Sequence, residues 1–180
     1  MNLIPVVIDK EINGERSYDI YSRLLKDRII FISGEINDNL ANTVIAELLY
    51  LDSINHDDIS IYINSPGGDV FTASTMISML ERLKATGTII NAYVDGLSAS
   101  AASFLMMVAD NINLYKNSVV MVHKPMSIAI GNANDMRKTI DALDKIEESV
   151  MMPMYMNKSK VDEKGIKSLI DAETWLSAKD

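Results

Sequence analysis

Cysteine is absent from all 180 residues. That excludes disulfides, Cys-based zinc sites and thiol catalysis, and it fits a cytoplasmic protein. Positive charge is scarce. Seventeen Lys and Arg stand against 25 Asp and Glu, and the net charge of −8 argues against general nucleic-acid binding. There is no long hydrophobic run. The longest, around Ala99 to Ala109, is too short to span a bilayer as a helix. Met1-Asn2-Leu3-Ile4-Pro5 lacks the charged and apolar regions of a signal peptide. Phenylalanine is sparse, three residues against 12 methionines. Met is flexible and fills irregular gaps, so most of it reads as core filler and some can line contact surfaces.

What remains suffices for one compact domain, because 48% of the residues are hydrophobic. No internal repeat or linker divides the chain. Val6-Val7-Ile8 reads as a short strand or part of a mobile arm. Glu15 to Leu25 carries Tyr18, Tyr21, Leu24 and Leu25 at helical spacing. Arg28 to Ser33 reads as a strand. Asp38 can cap a helix with Leu40, Val44, Ile45, Leu48 and Leu49 as its apolar stripe. Ile59 to Ile63 alternates as a strand. Val70 to Lys84 reads as a helix ended by Gly87. Ile89 to Val94 is a strand that gives way to a helix after the Asp95-to-Ser100 turn. Ile112 to Tyr115 and Val119 to Val122 are two more strands. Asn134 to about Met156 is a long helix that Pro153 should kink or end. Ser159 and Asp162 suggest a capping box, and Ser177 a further N-cap. Such alternation predicts an α/β domain of right-handed βαβ crossovers.

Amide hydrolysis needs a nucleophile, a base and donors for the developing oxyanion. Asp95-Gly96-Leu97-Ser98-Ala99-Ser100-Ala101-Ala102-Ser103 puts three serines where a strand turns into a helix. Small residues allow a tight turn, and bare N–H groups at a helix start favour negative charge. The same residues also suit plain close packing. An elbow pattern Gly-x-Ser-x-Gly would select Ser98, but Ser100 stands where its second glycine belongs, so this reading leaves the nucleophile open. Of the two histidines, His56 lies in a polar, acidic loop and reads as a surface residue. His123 ends a strand and can serve as the base of a serine on a neighbouring strand end. Ser65-Pro66-Gly67-Gly68, between strand and helix, offers oxyanion donors or a tight βα connection. It is no phosphate loop, since no Lys-Ser or Lys-Thr follows. Asp171 and Glu173, in Asp171-Ala172-Glu173-Thr174-Trp175, are carboxylates able to orient a histidine.

Five stretches resemble the ClpP family, the peptidase subunits of Clp proteases. They are Leu3-Ile4-Pro5, Gly14 to Ile30, Ile61 to Gly68, Gly96 to Leu105, and Val120 to Pro125. The resemblance covers nearly the whole chain. It implies Ser100 as nucleophile, His123 as base, and oxyanion donors at Gly68 and Ala101. Anchored on Trp175-Leu176-Ser177-Ala178, it implies Glu173 as the third member of the triad, where the family has Asp, with Asp171 as the alternative. Met126-Ser127-Ile128-Ala129-Ile130 replaces the family's glycine-rich, substrate-pairing strand, which implies a different cleavage preference. Asp69 to Gly96 and Glu173-Thr174-Trp175 look more like phage- or prophage-encoded ClpP-like proteases.

The resemblance thus implies a single peptidase domain over 1–180 with a ClpP/crotonase-like fold. It includes an N-terminal arm over 1–17 and a protruding handle over about 126–160. The chain ends where the family continues with a helix and hairpin, so a shortened C-terminal end is expected. The implied function is a cytoplasmic serine endopeptidase for unfolded polypeptides, needing no cofactor or metal. It would self-associate into stacked seven-membered rings, a tetradecamer. Its partner would be an AAA+ unfoldase that alone uses ATP, since this chain has no nucleotide-binding motif. Neither nucleic acid nor membrane is an expected partner. Tyr62 falls where an unfoldase-docking pocket residue would lie, or simply packs on the sheet. The alternatives are a phage capsid-maturation protease, an inactive ring subunit, and an acyl-CoA enzyme of the same fold class.

Overall fold

The computed structural model of the chain describes residues 3–11 and 14–180. It begins with an antiparallel hairpin, β1 (Val6–Glu11) and β2 (Gly14–Asp19), in register from Val6 opposite Asp19 to Glu11 opposite Gly14. The helical spacing over Glu15 to Leu25 therefore belongs to two elements. Pairing with β1 holds Gly14–Asp19 extended, and tertiary pairing of this kind overrides local periodicity. The Asp19 carboxylate accepts the Ser22 N–H at 3.0 Å and starts α1 (Ile20–Lys26) as its N-cap.

A six-stranded sheet follows. Its strands are β3 (Ile29–Ser33), β4 (Ile59–Ser65), β5 (Ile90–Ala99), β6 (Asn111–Leu114), β7 (Val119–Val122) and β8 (Thr174–Ser177). The order is β3-β4-β5-β7-β8, and β6 also pairs with β5. All pairings are parallel except β7 with β8. The long strand β5 makes this possible. Its first half pairs with β6 at Asn91 to Val94, and its last residues, Leu97 to Ala99, pair with β7.

The crossovers α2 (Asp38–Ile54) and α3 (Val70–Ala85) pack on one face of the sheet. Asn37, one residue before the expected cap, accepts the Leu40 N–H at 3.1 Å. Alternation does the sorting in the strands. Ile59, Ile61 and Ile63 of β4, and Ile90, Ala92 and Val94 of β5, face inward and are essentially unexposed. Val44, Leu48 and Leu51 of α2 and Met76, Leu80 and Leu83 of α3 meet them there. Each such large apolar side chain contributes about 1.5–3 kcal/mol by leaving water. The other face carries a half-covered aromatic row. Phe31 stacks on Tyr62 at 5.6 Å and Tyr62 on Tyr93 at 5.0 Å, with Tyr21 edge-on to Phe31. Tyr62 is thus part of sheet packing, and it also lines a small surface recess with Ser33 and Asn64.

The short helix α4 (Ala101–Met106) is buried along its whole length. The long helix is α5 (Ala133–Ile146), a π-helical turn over Glu147–Met151, and α6 (Met152–Lys158). Pro153 neither ends nor sharply breaks it. Proline lacks the N–H that an α-turn would use, and the wider turn just before it puts Pro153 in the first turn of α6, where the missing donor matters least. After it comes α7 (Glu163–Asp171), capped by Asp162 itself, whose carboxylate accepts the Gly165 N–H at 2.8 Å. Ser177 caps no helix. It closes β8, with its N–H and hydroxyl both donating to Asp180. Among the described residues, no helix is long and apolar enough to cross a membrane.

Candidate active site

The site forms where parallel strands end together. Ala99 of β5 lies opposite Met121 of β7. One step further, the Ser100 N–H donates to the Met121 carbonyl at 2.9 Å. Two residues beyond Met121 stands His123, whose Nε2 lies 2.7 Å from Ser100 Oγ. Both side chains are half-buried. Ser100 has φ 52° and ψ −125° and makes no capping bond of its own to α4. A non-glycine residue in that region costs about 1–3 kcal/mol, and it leaves the hydroxyl free to face the imidazole. Ser98, the elbow candidate, is fully buried in β5, and its hydroxyl has no partner among the described residues. His56 stands at the surface as expected, 3.2 Å from Asp52.

The glycine turn lies against the serine. A Cβ at Gly67 would sit 2.6 Å from the Ala99 carbonyl oxygen, 2.7 Å from Ser100 Cβ and 2.8 Å from the Ala101 nitrogen. The turn is held by its neighbours. Ser65 Oγ donates to the Gly34 carbonyl at 2.6 Å and accepts the Gly67 N–H. Ile36 accepts from Asp69 and donates to the Gly67 carbonyl. That parallel bridge uses the groups on either side of Gly68 and directs the Gly68 N–H away from Ile36. Ala101 is the first residue of α4, so its N–H has no intrahelical acceptor.

A second device keeps β4 and β5 aligned up to this turn. Ile63 pairs with Val94, but the next pair is Ser65 with Ser98, so β5 carries two extra residues. The Asn64 side chain fills the gap by accepting the Leu97 N–H at 3.1 Å. Gly96 leaves room for it, because a Cβ would lie 2.6 Å from the Asn64 side-chain oxygen and push that side chain aside. Nothing in the residue pattern singles out this ladder repair by Asn64.

The two carboxylates diverge. Asp171 lies 2.9 Å from Lys124 Nζ, and Glu147 lies 3.5 Å from the same nitrogen. Chiefly through the Asp171 bond, Lys124 is held above its ordinary pKa. Glu173 is exposed, with φ 47°, between α7 and β8. Neither carboxylate hydrogen-bonds the His123 ring. The β7–β8 ladder ends with Val122 opposite Thr174, so His123 and Glu173 are the residues just beyond it on the two strands, whereas Asp171 lies back at the end of α7.

Beside Gly68 opens a recess of about 300 Å³, lined by Phe71, Met126, Leu143 and Ile146 among others. A larger one, about 590 Å³, lies away from the serine between α1, β3 and α2, with Tyr21, Phe31 and Glu47 in its wall. Burial pushes the Glu47 carboxyl upward. Size does not locate the chemistry here. The smaller recess touches the glycine turn and the larger does not.

A strained serine under an imidazole nitrogen, at the mouth of a parallel α/β sheet, belongs to the class of serine hydrolases. Comparison with known proteins names the branch. The family model described as Clp protease matches residues 12–180, and the chain belongs to that family. It is 43% identical over 140 residues to the "ATP-dependent Clp protease proteolytic subunit" of Ligilactobacillus salivarius, an alignment covering 76% of this chain and 70% of that protein. It is 42% identical over 153 residues to the "ATP-dependent Clp protease proteolytic subunit 2" of Bacillus licheniformis, covering 83% and 79%. The resemblance read from the motifs, the α/β fold class and the serine peptidase activity are therefore borne out.

Proposed function

We propose that the chain is a serine endopeptidase in which Ser100 attacks the peptide carbonyl and His123 takes its proton. The observation that carries this reading is the 2.7 Å contact between His123 Nε2 and Ser100 Oγ. His123 then returns the proton to the leaving amine, and an acyl-Ser100 ester remains. Water, deprotonated by His123, hydrolyses that ester. The N–H groups of Gly68 and Ala101 hold the oxyanion in both steps. Glu173 completes the triad by accepting a hydrogen bond from the His123 Nδ1–H, a role supported by its place just beyond the end of the β7–β8 ladder, as His123 is on the other strand. Glu173 is exposed, so its carboxylate must turn inward to do so. Asp171 is the less favoured carboxylate because Lys124 already holds it.

The recess beside Gly68 suits an apolar substrate side chain next to the scissile bond. The Met126-to-Ile130 segment, exposed and outside any helix or strand, is free to pair its backbone with an unfolded polypeptide. A single peptidase domain over 1–180, with an arm over 1–17 and a handle over about 126–160, would assemble into stacked rings, seven subunits each, in the cytoplasm. An AAA+ unfoldase would deliver substrate and carry out all ATP hydrolysis. The relatives' names, ATP-dependent proteolytic subunits, support that division of labour. No cofactor, metal, nucleic acid or membrane enters the scheme.

Fluorophosphonate labelling, read by intact mass and peptide mapping, tests the site. A single adduct on Ser100 that disappears in Ser100→Ala is the expected result, with peptide hydrolysis falling about 10³-fold or more. An adduct on Ser98 would restore the elbow assignment. Absence of any adduct on the assembled protein would favour an inactive ring subunit, the reading that the unaligned carboxylates also favour.

A further inference from the structure

Tyr155 lies on α6, outside the constellation just assigned, yet two hydrogen bonds connect it to Ser100. Its side chain is only 3% exposed and meets Phe104 edge-on. Its hydroxyl lies 2.6 Å from Ser103 Oγ, which lies 2.6 Å from the Ser100 carbonyl oxygen. The Ser103 N–H donates to the same carbonyl at 2.9 Å. The direction of this chain is forced. A carbonyl only accepts, so the single Ser103 hydroxyl proton goes to it, and Ser103 Oγ must accept the Tyr155 proton. Burial pushes the Tyr155 phenol up to about 12, so it stays a donor throughout the neutral range.

The Ser100 carbonyl and the Ala101 N–H share one planar peptide unit and point in opposite directions. Whatever holds the carbonyl therefore aims the N–H. Ser100 needs such a hold, because φ 52° with ψ −125° is not a conformation that a serine keeps unaided. We infer that Tyr155 and Ser103 form a positioning pair that aims the Ala101 N–H at the oxyanion and ties the catalytic turn to the base of the long helix. This rests on the reading of Ser100 as nucleophile and Ala101 as oxyanion donor. Neither Tyr155 nor Ser103 touches the reacting atoms; both act through the Ser100–Ala101 peptide.

The test uses the assembled protein and the rate at which a fluorophosphonate phosphonylates Ser100 with loss of fluoride, the measure of acylation by substrate. Tyr155→Phe removes one oxygen and keeps the ring on Phe104. It should slow acylation about tenfold, as should Ser103→Ala. Ser103→Thr, which keeps a hydroxyl, should recover most of the rate. The double variant should be no slower than the slower single, since both changes break one chain. The pH midpoint of acylation should not move, because His123 is untouched. A purely structural role predicts a lower Tm with the folded protein acylating at the wild-type rate, and that result overturns the inference. So do fully additive losses, or a Tyr155→Phe rate within about twofold of wild type. A wild type labelled elsewhere than Ser100, or not at all, overturns the site assignment and this inference with it. Normal wild-type labelling beside an unaffected Tyr155→Phe overturns the inference alone.

Discussion

Two glycines separate backbone strain from close approach. Gly67, at φ 89°, has the serine turn on top of it, whereas Gly87, at φ 101°, has no atom within 4 Å of an added Cβ. Alanine at Gly87 meets strain alone and should cost about 1 kcal/mol with acylation unchanged. Alanine at Gly67 adds a collision with Ser100 and Ala101, for about 2–4 kcal/mol, and should slow acylation of the folded fraction more than tenfold. Urea unfolding and labelling of both variants check this, and equal effects on acylation would refute the close-approach argument. The carboxylates invite a second comparison. Glu173→Gln should lower kcat/KM by about 10²-fold to 10⁴-fold, whereas Asp171→Asn should stay within about threefold. The reverse order would transfer the third role to Asp171. Residue pattern alone points to this neighbourhood, since three serines at a strand–helix turn and a strand-end histidine are legible. It did not separate Ser98 from Ser100, because that choice depends on where β5 stops. The motif resemblance picked Ser100, and β5, running on to Ala99, buries Ser98.

Elements were legible where one chain segment carries its own periodicity, and less so where a partner defines them. The β4 strand with α2 and α3 follows its apolar spacing closely. β2 was read as helix because only β1 makes it a strand, and β8 passed unnoticed because Thr174-Trp175-Leu176-Ser177 pairs only with β7. Asp110 is a junction of the same non-local kind. Its carboxylate accepts the Ile90 N–H at 2.9 Å at the start of β5 and pairs with Lys84 of α3 at 3.0 Å. Burial alone would push this carboxyl up, but the Ile90 bond and Lys84 together hold it below its ordinary value. A depressed carboxylate stabilises the fold above its unfolded value, about 3.9, and loses that contribution as pH falls through the folded value. Wild type should therefore exceed Asp110→Asn in urea-measured stability at pH 6. The gap should close as pH drops below about 4. A gap that persists unchanged to pH 3 would mean that Asp110 acts by packing instead.

At the scale of the whole molecule, residues 126–140 form one region whose composition a lone subunit does not explain. Met126, Ile128 and Ile130 are 80%, 92% and 95% exposed. They recur at a spacing of two in an exposed segment that belongs to no helix or strand. Met136 and Ile140, one helical turn apart on α5, are exposed as well. Exposed apolar side chains gathered in one stretch of chain point to a contact with another chain. Yet every copy carries a net charge of −8, so copies repel one another as they meet. Apolar attraction against electrostatic repulsion has a definite salt signature. Raising salt screens the repulsion and leaves apolar burial intact, so self-association should strengthen between about 0.05 and 0.5 M salt. An assembly held by ion pairs would weaken over the same range. Sedimentation velocity at the two salt concentrations, on wild type and on Ile128→Asp/Ile130→Asp, distinguishes these cases. Wild type should sediment as a multi-subunit particle, more completely at high salt, and the double variant as a smaller species under both conditions. A double variant that assembles like wild type would move the interface off the 126–130 segment and leave Met136 and Ile140 of α5 as the remaining apolar contact of this region.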